Sequence, residues 1–126
     1  MKNKSGITFM ELVVTVILVG IFASFGINGY NKAKTNARKK ELKTNMLAIK
    51  AGQNIFKAKK GYYFPNSGTA NVSSININLN LKIFETSNIT YSCTRTASAT
   101  TFSCKGVLSG VTTCTLTQAS DVPSCT

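Results

Sequence analysis

The chain has 126 residues, 43% of them hydrophobic, with 15 Lys and Arg against four Asp and Glu and a formal net charge of +11. That length supports one domain of modest size. With no histidine and so few acids, the composition excludes the usual acid–base, nucleophilic and carboxylate-rich metal constellations, so neither enzyme activity nor a cofactor is expected.

The first six residues, Met1-Lys2-Asn3-Lys4-Ser5-Gly6, form a short basic leader. An apolar run follows from Ile7 to Ile27, in which only Thr8, Glu11, Thr15 and Ser24 are polar. As a helix it spans roughly 30 Å, the thickness of a bilayer hydrocarbon core. Glu11 is the anomaly, because a carboxylate inside such a helix is costly unless it finds a partner or reaches the head groups. Gly20, Gly26 and Gly29 mark places where a long helix bends or unwinds, or where neighbouring helices pack closely.

Residues 30–60 read as a continuation of the helix. No proline interrupts them, alanine and leucine are frequent, and Gly61 is a natural stop. Leu42, Met46, Ile49, Gln53 and Phe56 make one stripe at helical spacing, suited to burial against the chain's own domain. Leu47, Ala48, Ala51, Ile55 and Ala58 make a second apolar strip, which suits contact with neighbouring copies. Lys43, Lys50 and Lys57 recur every seven residues between the strips and read as a solvated basic ridge.

Residues 61–70 read as a loop broken by Pro65 and Gly68, with Tyr62, Tyr63 and Phe64 packing it onto a sheet. From Val72 the pattern alternates: Ile75, Ile77, Leu79, Leu81 and Ile83 are separated by Asn76, Asn78, Asn80 and Lys82. Period two predicts a half-buried strand here, not a helix. Further strands are expected near 89–95, 101–107 and 111–117, with turns at 96–99 and 108–110 and antiparallel hairpin connections.

Cys93, Cys104, Cys114 and Cys125 all lie in the last third. With no histidine and no CxxC pair, a zinc site is disfavoured against two disulfides formed in an oxidising compartment. Four cysteines allow three pairings; Cys93 with Cys104 and Cys114 with Cys125 is preferred, since the first two sit on successive strands. An exported head conflicts with Lys32, Lys34, Arg38, Lys39, Lys40 and Lys43 after the apolar run, which the positive-inside rule would hold in the cytoplasm. The cysteines argue for export.

Lys2 and Lys4 ahead of Gly6, then Ile7-Thr8-Phe9-Met10-Glu11-Leu12 and the long apolar run, resemble the processing motif of type IV pilins and type II secretion pseudopilins. Ile7 stands where phenylalanine is usual in that family. The resemblance implies cleavage after Gly6 by a prepilin peptidase, methylation of Ile7, and an assembly role for Glu11 beside Thr8. It implies an α+β fold: leader 1–6, membrane and filament-core helix 7–29, amphipathic helix 30–60, and a disulfide-tied antiparallel head over 61–126. The implied partners are identical subunits in a helical filament, an inner-membrane assembly platform, and the inner membrane itself before assembly. The implied location is an inner-membrane precursor that becomes an extracellular filament, serving adhesion, motility or DNA uptake.

A pseudopilin of a type II secretion system is the alternative within the family. Its major form resembles a calcium-binding protein at the C-terminus, where this chain has only Asp121 as an acid. The alternative of another class is a signal-anchored surface protein that never polymerises. Loss of Lys2 and Lys4 leaves 15 − 2 = 13 basic side chains against four acidic, so an assembly would attract DNA and anionic surfaces without sequence preference.

Overall fold

The computed structural model describes residues 6–95 and 100–126. Leader residues 1–5 and the turn expected at 96–99 lie outside the described residues. Helix α1 runs Phe9–Lys60, and the chain divides into two compact units, one reaching Asn36 and the other spanning Ala37–Thr126.

The first unit contains the apolar part of α1. Two hydroxyls inside the apolar run bond the helix's own backbone: Thr15 Oγ1 donates to Leu12 O at 2.8 Å and Ser24 Oγ to Gly20 O at 3.0 Å. A helix can therefore bury these groups in an apolar medium without leaving donors unpaired. Among the described residues, α1 is the one helix long and apolar enough to cross a membrane.

The second unit is α+β. Its α1 residues pack on a five-stranded antiparallel sheet of order β1-β2-β3-β4-β5, comprising β1 (Thr69–Asn71), β2 (Ile89–Arg95), β3 (Phe102–Leu108), β4 (Thr112–Thr117) and β5 (Ser124–Cys125). Ile89, Tyr91 and Cys93 alternate inward on β2, as do Phe102, Cys104 and Leu108 on β3 and Cys114 and Leu116 on β4. They meet Leu42, Met46 and Ile49 of α1, all wholly buried. Gly106 lets the helix approach: a β-carbon there would lie 2.7 Å from Leu42 Cδ1 and 3.0 Å from Met46 Sδ. At the helix end Gly61 takes φ +83° and its N–H bonds Lys57 O at 2.7 Å, closing the last turn.

One expectation is overturned. The segment read as a strand is helix α2, Val72–Leu79. Val72, Ile75 and Leu79 share a buried face while Ile77, which strand alternation would group with Ile75 and Leu79, is 80% exposed. The caps decide the matter. Asn71 Oδ1 accepts from Ser74 N at 3.0 Å, and Asn80 ends the helix at φ 54°, ψ 48°. Asparagine suits both roles and is a poor strand former. β1 forms at the end of the segment read as loop, with Ala70 opposite Cys93. β5 closes the other edge, with Cys125 opposite Cys114.

Candidate functional site

The N-terminal segment is built around Thr8 and Glu11. Thr8 precedes the first turn of α1. Its backbone N–H donates to Glu11 Oε2 at 2.8 Å and its hydroxyl to the same oxygen at 2.9 Å, while Glu11 N donates to Thr8 Oγ1 at 3.3 Å. This is a reciprocal capping box, and Thr-x-x-Glu ahead of an apolar run is its sequence signal. The helix N-terminus also favours the negative charge. Within the described residues the bonds to the Glu11 carboxylate all fall on Oε2, so Oε1 is left to accept from another molecule.

Ile7 is exposed, as are the apolar side chains from Phe9 to Ile27. A stripe of this length with no cover from its own chain requires lipid or other copies around it. Gly20, Gly26 and Gly29 lie inside the continuous helix, with nothing within 4 Å of where a β-carbon would stand at each. They leave room for a close neighbour.

In the second unit the four cysteines pair as Cys93–Cys104 and Cys114–Cys125. The first joins directly opposed residues of β2 and β3 in the core, and the second ties β5 to β4. The three lysines at seven-residue spacing do not form a solvated ridge. Lys43 is exposed, but Lys50 is half-buried and donates to Ser120 O, with Asp121 Oδ1 at 3.5 Å. Lys57 stands over the Tyr63 ring, 4.6 Å from its centroid. Both ammonium groups are thus engaged by partners in the head. Spacing alone has no access to these partners, because Ser120 and Asp121 are some 70 positions further along the chain.

The second apolar strip faces outward: Leu47, Ala51, Ile55 and Ala58 are exposed and Ala48 is half-buried. Among the described residues, no group of three acid, histidine or cysteine side chains is placed to hold a metal ion.

A protein described as type IV major pilin protein PilA from Myxococcus xanthus (strain DK1622) is 33% identical over 62 residues, 49% of this chain and 28% of that protein. The chain thus matches under a third of that relative's length. No family model matches the chain, and no solved structure does. The likeness, the long apolar N-terminal helix and the small antiparallel sheet with its disulfide-bonded C-terminal part together fit a type IV pilin.

Proposed function

We propose that the chain is a structural subunit of a type IV pilus. It is made as an inner-membrane precursor, cut after Gly6 by a prepilin peptidase, methylated on Ile7, and passed through an assembly platform into a surface filament of identical subunits. The observation that carries this reading is Glu11: a carboxylate at the head of an exposed apolar helix, held among the described residues by Thr8 through Oε2.

Cleavage after Gly6 would place a new positive amine on Ile7, next to Thr8. In the lone subunit the capping box satisfies one carboxylate oxygen. In a filament the second oxygen would accept from the amine of the neighbouring copy, so each charge is compensated only when copies stand in register. The exposed helix over residues 7–29 would supply the filament core, since its apolar surface has to be covered by copies once it leaves the membrane. Disulfides in the head agree with export to an oxidising compartment.

Glu11→Gln tests the reading. It keeps shape and removes charge, so membrane insertion should become easier while assembly loses the carboxylate–amine pair. The expected result is normal subunit in isolated membranes and no surface filaments by electron microscopy. Abundant filaments from this variant would overturn the role of Glu11. Intact mass should give a chain starting at methylated Ile7; a retained Met1 would overturn the processing.

A further inference from the structure

Two surface features of the second unit stand at opposite edges of the sheet. One is an open groove of about 430 Å³ between α1 and the end of α2, lined by Ala48, Ala51, Ile55, Leu81 and Lys59 among others. Because α2 packs on β1 and β2, the groove belongs to the β1 edge. The other is the Asp121–Val122 loop between β4 and β5, at the far edge.

That loop is a built protrusion. Lys50 holds Ser120 O, Pro123 is buried, and Cys125 is bonded to Cys114, so Asp121 and Val122 are presented outward between fixed points. Val122 is 68% exposed and the Asp121 side chain is fully exposed, with Lys50 touching it only at 3.5 Å. Lys50 itself lies roughly 160° around α1 from Ala48, at 100° per residue. Groove and protrusion therefore occupy opposite flanks of one helix as well as opposite edges of one sheet.

Their chemistry is complementary. The groove is apolar with a cation in its lining, and Lys59 has no acid partner among the described residues. The protrusion is an apolar side chain beside a carboxylate. We infer that the Asp121–Val122 loop of one copy seats in the α1–α2 groove of the next, with Val122 against Ile55 and Leu81 and the Asp121 carboxylate on Lys59. A patch and its complement on different faces of one molecule form a heterologous, head-to-tail contact, the kind that builds an open helical series wherever its rotation does not close into a ring, and not a two-fold dimer. This rests on the filament reading and names the head contact within it.

Charge reversal in the full chain is the test. Asp121→Lys should lose most surface filaments while subunit in isolated membranes stays at its normal level, and Lys59→Asp should do the same. The two exchanges combined should restore filaments. Normal filaments from either single reversal, or failure of the combination to rescue, would overturn the contact. A second measurement does not depend on charge: with Ile55→Cys and Val122→Cys together, a short bis-maleimide applied to sheared filaments should give a ladder of multimers. Filaments that label at both cysteines yet give no ladder would also overturn it. Neither failure would touch the filament reading, which rests on the unaltered chain forming surface filaments, nor the role of Glu11, which Glu11→Gln tests separately.

Discussion

Gln53 holds Phe64 by both ends of its amide: Nε2 donates to the Phe64 carbonyl at 2.5 Å and Oε1 accepts from the Phe64 N–H at 2.9 Å. The side chain is wholly buried, so a single glutamine acts as a piece of β-ladder between α1 and the loop that follows it. The clasp sets the loop so that Tyr63 meets Phe102, ring centroids 4.8 Å apart, and Phe64 meets Phe56 at 5.7 Å.

Gln53→Leu keeps volume and removes both bonds. Two backbone groups of Phe64 are then left without partners, and each unsatisfied buried group costs about 1–3 kcal/mol. The variant should melt well below the parent in detergent, whereas Gln53→Glu at neutral pH should be worse still, because it buries a charge with one partner lost. Melting temperatures within a degree of the parent would show the clasp to be dispensable.

Helix α2 depends on its caps. Asn71→Ala removes the acceptor for Ser74 N and should cost about 1 kcal/mol, read as faster hydrogen exchange at Ser74 and Ile75. Asn80→Gly should leave exchange in α2 unchanged, because glycine adopts the left-handed conformation of the C-cap freely. Asn80→Val should speed it, since a β-branched residue is strained there.

Tyr91 gives a pH dependence. It is buried, and burial holds its phenol above the ordinary tyrosine range; Asn45 Nδ2, which donates to its oxygen at 2.9 Å, works against this, and the nearby carboxylates of Glu41 and Glu85 add to it. The folded state thus binds the phenolic proton more tightly than the unfolded chain. The resulting stability is fully present below about pH 10, the unfolded value, and is lost as pH rises through the raised folded value. Melting followed from pH 8 upward should fall more steeply in the parent than in Tyr91→Phe. Equal slopes would remove Tyr91 as the cause.

The two disulfides close loops of equal sequence separation, 11 residues each, so their effect on the unfolded chain should match at about 2–4 kcal/mol. Their local effects should differ. Replacing Cys114 and Cys125 by alanine should release β5, seen as faster exchange at Thr113 and Thr126, whose N–H and C=O groups bond each other at 2.9 Å. Replacing Cys93 and Cys104 should lower stability across the head, because that bond lies in the core. Identical exchange patterns for the two double variants would contradict this difference.

What the sequence determined by itself is the part governed by long runs and by composition. An uninterrupted apolar stretch with one carboxylate at its start, a buried stripe from Leu42 to Gln53, and strands whose inward residues alternate all persist over enough residues for one period to prevail. The disulfide-tied antiparallel sheet follows from the same kind of signal, as Ile89, Tyr91 and Cys93 alternate without conflict. Residues 72–79 carry no such margin. Val72, Ile75 and Leu79 fit a helical face, while Ile75, Ile77 and Leu79 fit a strand face. The choice fell to two asparagine caps and to the docking of α2 on β1 and β2. The short edge strands β1 and β5 exist only because β2 and β4 offer them unpaired backbone groups. Lys50 and Lys57 likewise look solvated until the fold brings Ser120 and Tyr63 beneath them. Short or ambiguous segments take their structure from partners distant in the chain, and only tertiary packing supplies those partners.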